Sequence, residues 1–187
     1  MADSEAILTL EPLLEAVREG VEGDGWELSG LQKTTAFEFE GRWAGDTSRS
    51  AYLFFHTSGA PDWVTIDVFL DETSRGLKGN LALVLEGPEL ARMESPRKVL
   101  AHLAEVARDA LPQGYRTPLT LRYRLPRLGD DPGESDTEFR FKLYIPAGAI
   151  RSGHSAVAAL CTSVAGAFRG ILDSGQLGSL GPEDEPE

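Results

Sequence analysis

The chain has 187 residues but only one cysteine, and no apolar run in it approaches the length of a membrane span. A single cysteine cannot form an internal disulfide, and Cys161 lies within an apolar helical pattern, so we interpret it as a small core residue. The longest apolar stretches, such as Leu81–Leu85, are far shorter than the ~20 residues of a transmembrane helix. The acidic N-terminus lacks the basic region of a signal peptide. We therefore expect a cytoplasmic protein that does not bind membranes.

Basic side chains are also scarce, since 18 lysines and arginines face 30 acidic residues and give a net charge of -12. Such a charge disfavours non-specific attraction to phosphate backbones, so nucleic acid is the less favoured partner. The length and the 41% hydrophobic content fit one domain with its own core. We predict a single domain over residues 1–175 and a disordered acidic tail over residues 176–187, which is too polar to pack.

The motifs of common catalytic and metal sites are missing as well. The segment 41–48 has glycines but no phosphate-loop lysine, and we interpret it as a hairpin loop. Gly153-His154-Ser155 resembles a nucleophile elbow, but Val157 occupies the second glycine position and no histidine follows, which favours a helix cap. The three histidines lack zinc-ligand spacing, and the carboxylates of 130–136 lack the spacing of a calcium loop. We therefore expect a non-enzymatic protein with no metal and no cofactor.

What the chain does contain is a clear order of apolar patterns. Helical spacing marks a helix near each end, one over about residues 10–22 and one around residues 157–172, and a third helix over residues 96–110. Strand patterns fall between them, around residues 37–43, 52–55, 63–70, 81–85, 119–125 and 137–145. The fold class predicted is α+β, with antiparallel sheet and the order α-ββββ-α-ββ-α. The first strand alternates between apolar and polar residues, which is typical of a strand near an edge.

Two of these strands are apolar on both faces. In the strand around residues 52–55, Tyr52 and Phe54 alternate with other apolar residues. In the strand over residues 63–70, Trp63 and Phe69 are predicted on the face opposite the aliphatic residues of the same strand. An apolar sheet face opposite the helices needs a second layer, a dimer partner or a ligand. We therefore take Tyr52, Phe54, Trp63 and Phe69 as candidate partner-binding residues.

Asp67 lies on the same strand, between Thr65 and Phe69. If it is buried, its pKa rises and it could act as an acid or base, or hold a small molecule. No second catalytic group can be assigned to it from the sequence. We therefore favour an acid that points to solvent, and a small-molecule site or an enzyme centred on Asp67 remains an alternative.

The hairpin of residues 119–145 carries four cations at the positions that alternate with its apolar residues: Arg122, Arg124, Arg140 and Lys142. A symmetric turn predicts that Arg122 opposes Arg140, a like-charge pair that an anion would relieve. This favours an acidic partner or nucleic acid, with Tyr144 as a stacking residue. The alternative, to which we give equal weight, is that the four cations are solvated and only keep an exposed edge of the sheet from pairing with another chain.

The element order resembles that of the type III secretion chaperone-like superfamily of small acidic bacterial proteins, over about residues 8–173. The resemblance implies a homodimer that holds an extended segment of a client protein on apolar sheet and helix surfaces. It assigns the four aromatic candidates to client or dimer contacts, and helix 96–110 with the basic hairpin to the subunit interface. Our leading hypothesis is thus a non-enzymatic, chaperone-like protein-binding module that works through apolar grooves and strand addition.

Overall fold

A computed structural model describes residues 5–39, 43–86, 101–102, 104–106, 108–109, 120–122 and 138–174. Its strands are β1 (Glu27–Phe39), β2 (Trp43–His56), β3 (Val64–Thr73), β4 (Gly76–Glu86), β5 (Thr120–Arg122) and β6 (Glu138–Tyr144). Its helices are α1 (Leu10–Glu22), α2 (the helical positions 101–102, 104–106 and 108–109), α3 (Ala147–Arg151) and α4 (His154–Ser174). The α+β class and the predicted order are confirmed, and the expected tail of 176–187 lies outside the described residues.

The six strands form one sheet in the order β1-β2-β3-β4-β6-β5, and every pairing is antiparallel. The register of β3, β4 and β6 is regular, so Ile66, Leu83 and Phe141 lie in one row on the same face. That face joins the apolar stripes of α1 and α4 in one buried core. We call it the inner face. Strand β1 is at the edge, as its pattern predicts.

Helix α1 begins where a distant carboxylate accepts one of its free N–H groups. Thr9 occupies the N-cap position but makes no side-chain cap. Glu72 of β3 takes this role instead, because its Oε2 accepts the backbone N–H of Leu10 at 2.6 Å. Arg49 of β2 binds both Glu72 and Glu11, at 2.6 and 2.8 Å, and its hydrogen bond lowers the pKa of Glu11. The start of α1 is thus fixed to two strands of the sheet.

Helices α1 and α4 cross in very close contact at Gly20. A Cβ atom built on Gly20 would lie 2.6 Å from Cys161 Cβ and closer still to the backbone oxygen of Ala158. Thr162 Oγ1 donates to the Gly20 oxygen at 2.9 Å, and Arg169 Nε donates to Asp24 at 3.1 Å just beyond the end of α1. The contact therefore requires glycine and is held by polar groups on both sides.

The structure differs from the prediction made from the sequence at two places. Trp43, predicted in the first strand, begins β2 and pairs with Phe39, so residues 43–48 are strand rather than the predicted loop. The period-2 pattern continues through a hairpin without changing, which hides the turn. The short helix α3, which has no apolar period of its own, was not predicted.

We predict that Gly20→Ala destabilises the protein by about 3 kcal/mol, because the new methyl group meets backbone and forces α1 and α4 apart. Gly170→Ala is the matched control in α4, where a Cβ would meet nothing within 4 Å. It should stabilise by about 0.5–1 kcal/mol through helix propensity. Urea denaturation of both variants measures the two effects. Equal effects of the two substitutions would contradict the close crossing.

Candidate binding face of the sheet

The face of the sheet opposite α1 and α4, called the outer face below, carries mixed aromatic and polar side chains. The strand register arranges them in rows that run across the strands. One row consists of Gln32, Tyr52, Phe69, Asn80 and Tyr144. The neighbouring row consists of Gly30, Phe54, Asp67, Ala82 and Lys142. The candidate residues from separate strands are therefore brought onto one surface.

Three of the four aromatic candidates lie together on this face. Tyr52 and Phe69 are direct cross-strand partners with ring centroids 4.9 Å apart, and Phe54 lies against the backbone of Gly30. Tyr52 and Phe54 remain 38% and 36% exposed. Their strand neighbours Leu53 and Phe55 are fully buried on the inner face. Strand β2 is thus apolar on both faces, as the sequence predicts.

Trp63 does not join this cluster. It lies in the turn before β3, half-buried, and packs against the inner core. The strand begins only at Val64, so the alternation of β3 does not determine where Trp63 points. Its backbone oxygen accepts the N–H of Glu86, which holds the turn against the end of β4. We therefore leave Trp63 out of the outer-face cluster.

Asp67 lies on the outer face but does not point freely to solvent, contrary to the favoured interpretation of the sequence. Its Oδ1 accepts a hydrogen bond from Thr65 at 2.8 Å, and its Oδ2 lies 3.3 Å from Arg140 Nη2. Burial raises the pKa of Asp67, and this effect exceeds the opposing effects of Thr65 and Arg140. The carboxylate is therefore held in place by structural partners.

One cation of the basic hairpin, Arg140, is neutralised by ion pairs. Arg140 Nε donates to Glu138 Oε1 at 2.8 Å while its Nη2 reaches Asp67 across β4, so two carboxylates share this cation. The register places Arg122 opposite Glu138, and Thr120 opposite Arg140. The predicted Arg122–Arg140 opposition is wrong, because the pairing is shifted by two residues along the strand. Arg124 lies outside the described residues.

Sequence reasoning missed Asn80, at the centre of the aromatic row. It lies in β4 between Phe69 and Tyr144 and is only 8% exposed. Among the described residues, Trp26 Nε1 is the one fully buried side-chain polar atom without a hydrogen-bond partner, so the Asn80 amide is not a buried unpaired group. Lys142 is nearby, with its Nζ 5.1 Å from the centre of the Tyr144 ring. Asn80 directly precedes the apolar run Leu81–Leu85, so the sequence gives no signal that distinguishes it from an ordinary polar residue at the start of a strand.

Other reactive groups give no site within the described ranges. They contain no cluster of three or more potential metal ligands. Burial raises the pKa of Cys161 to about 12, which makes its thiol unreactive. His154, the first residue of α4, contacts Glu19 of α1, with its Nε2 2.7 Å from Glu19 Oε2. Helix α4 has the length and apolarity of a membrane span over His154–Asp173, yet its apolar stripe lies in the core with α1.

We predict that the stability of wild type relative to Asp67→Asn increases as the pH is lowered from about 7 to about 4. The folded pKa of Asp67 lies above its unfolded value, so the native state binds more protons between the two values. The stability difference must therefore rise as the pH falls. Urea denaturation of both proteins across this range measures it. The opposite trend would show that attraction by Arg140 outweighs burial.

No known protein-family model matches the chain, and no curated protein or solved structure matches it either. A function for this chain therefore has to follow from its own surface: the exposed aromatic rings of the outer face, the neutralised Arg140 and the edge strand β1.

Proposed function

We propose that the protein is a non-enzymatic, chaperone-like binding module that holds a segment of a client protein on the outer face of its sheet. The observation that carries the proposal is the exposure of aromatic rings there. Tyr144 is 61% exposed, and Tyr52 and Phe54 are more than one third exposed. Aromatic side chains are enriched at the centres of protein interfaces, where they bury large areas at little entropic cost.

The edge of the sheet supports the same proposal. Among the described strands, β1 pairs with β2 alone, and its residues from Glu27 to Thr35 are exposed or half-buried. Leu31 is 46% exposed at this edge. An edge with free backbone groups can accept an added strand from a partner. We also propose that the protein forms a homodimer through this edge and that it is located in the cytoplasm.

The two alternatives find less support in the geometry. A nucleic-acid surface needs free cations, but Arg140 is bound to two carboxylates and the register pairs Arg122 with Glu138. An enzyme centred on Asp67 needs a second reacting group, but Thr65 and Arg140 are positioned to hold the carboxylate rather than to move a proton to a substrate. Client binding uses the exposed rings of Tyr52 and Phe54 on β2 as well as that of Tyr144, which the nucleic-acid alternative uses alone.

We predict that the double variant Phe54→Ser/Tyr144→Ser binds an unfolded test protein at least tenfold more weakly than wild type. Tyr144 is 61% exposed and costs little stability when removed, whereas Phe54 is only 36% exposed, so urea denaturation must first show that the variant is folded. Each lost aromatic contact costs about 1–2 kcal/mol of binding. Fluorescence anisotropy with labelled, reduced and carboxymethylated lactalbumin measures the affinity. Sedimentation of the free protein measures its oligomeric state in the same samples.

Leu8→Ser is the matched control. Leu8 is an apolar residue, 77% exposed, that lies before α1 and away from the outer face. Its replacement should leave binding unchanged. If the double variant binds as tightly as wild type while folded, or if Leu8→Ser weakens binding as much, the outer face is not the client site.

A further inference from the structure

We propose that self-association regulates the client site: two copies of the chain pair β1 to β1, and a client segment adds to this edge only after the second copy has left. The inference rests on the proposed function, because it takes the client and the homodimer to use the same edge. It assigns a second copy of this chain as the occupant of β1 in the absence of client. The pairing is antiparallel, and its two-fold axis passes through Thr34.

The first observation is that the described strands offer one long free edge. Strand β1 has 13 residues and pairs with β2 alone, whereas β5, at the other end of the sheet, has three residues in the described part of the chain. Residues 31–35 of β1 are all exposed. The free main-chain groups along one side of a strand can pair with one added strand. A second copy and a client segment that both add to β1 therefore exclude each other.

The charge of the edge is the second observation, and it favours a second copy as the occupant. Residues 28–37 contain no acidic residue and one cation, Lys33, in a chain with a net charge of -12. Two copies can therefore approach through this segment without bringing carboxylates into opposition. Helix α1, in contrast, carries Glu15 and Glu19 on its exposed surface. An approach over the helices would bring like charges together, so the edge is the favoured contact.

The register of the pair follows from the geometry of the edge. Strand β1 pairs with β2 without interruption from Gly30 to Phe37, and the pairing is irregular at each end of this stretch. Directly opposite residues of antiparallel strands lie on the same face of the sheet, so a two-fold axis must pass through a residue and not between two residues. The middle of the stretch leaves Lys33 and Thr34. An axis at Lys33 would oppose two lysines, so the axis is assigned to Thr34.

The register through Thr34 also suits the neighbouring residues. It places Lys33 opposite Thr35 of the second copy, so the two lysines are diagonal to each other rather than opposed. It places Leu31, which is 46% exposed, opposite position 37 of the second copy, a phenylalanine in the sequence. An apolar side chain that is exposed in one copy is thus covered in the dimer. One pair of strands is a small interface, so the dimer is weak enough for a client to displace.

The test places a charge on the axis of the full chain. Thr34 is exposed, so Thr34→Lys and Thr34→Asp should both keep the urea midpoint of wild type. Each variant opposes its own charge across the axis, so we predict that self-association weakens at least tenfold, as measured by sedimentation equilibrium. An equal mixture of the two variants opposes unlike charges and should dimerise at least as tightly as wild type. Ala159→Lys and Ala159→Asp, at an exposed position of α4, are the matched controls and should dimerise like wild type.

The effect on the client site is measured with the same labelled lactalbumin. At concentrations where wild type is dimeric, we predict that each Thr34 variant alone binds it at least threefold more tightly than wild type, because no second copy has to leave. The equal mixture of the variants should lose this gain. The two variants carry opposite charges, so a gain that both share cannot come from attraction to the client. Excess lactalbumin should convert the wild-type dimer into a complex that contains one copy of the chain.

The remaining outcomes separate this inference from the proposed function. If wild type binds lactalbumin but is monomeric at every concentration, the edge is solvated, the client site stands and the regulation is wrong. The same conclusion follows if both Thr34 variants dimerise like wild type, if their mixture stays monomeric, or if the client complex keeps two paired copies. If the mixture dimerises as expected but no form of the protein binds lactalbumin, the proposed function fails and the regulation fails with it.

Discussion

The crossing of α1 and α4 at Gly20 is the contact on which the rest of the structure depends. The two helices form the layer that covers the inner face, and their distance from each other determines how far this layer extends. With Gly20 against Ala158 and Cys161, the pair is narrow. Both helices lie on the inner face, so the aromatic rings on the opposite face of the same strands have neither α1 nor α4 packed on them.

The outer face must then remain stable without α1 and α4 packed on it. The structure achieves this with polar contacts that cross the strands. Arg140 reaches from β6 over β4 to Asp67 on β3, and Ser50 of β2 donates to Asp71 of β3 at 2.9 Å. The half-buried ion pair between Arg140 and Asp67 contributes little net stability, because the cost of desolvating the two charges offsets their attraction. Their effect is to hold the side chains in defined positions, which leaves Tyr52, Phe54 and Tyr144 as the exposed apolar surface.

The sequence predicts the layers of this fold better than it predicts the site. Helix α1 and the alternation of β3 follow directly from apolar spacing, since burial on one face imposes a period. The partner of Asp67 could not be predicted, because Arg140 is 73 residues away and is brought near by the β4–β6 pairing. The shift that places Arg122 opposite Glu138 is also invisible in the sequence, since a shift of two residues preserves the alternation. Asn80 was missed because it stands after Lys78 and Gly79 and before the apolar run Leu81–Leu85, where a polar residue is ordinary.

The outer face is not open along its whole width. Asn80, Ala82 and Val84 of β4 lie on this face and are 8%, 0% and 1% exposed, whereas Tyr52 and Phe54 of β2 and Tyr144 of β6 are more than one third exposed. The middle of the face, at β4, is therefore covered, and the apolar surface left for a partner lies on β2 and at Tyr144. Strand β2 is the neighbour of the edge strand β1, so a segment added at that edge would lie beside the exposed rings of β2. Strand addition gives affinity through the main chain and selectivity through the adjacent side chains, which is what a module that holds extended segments requires.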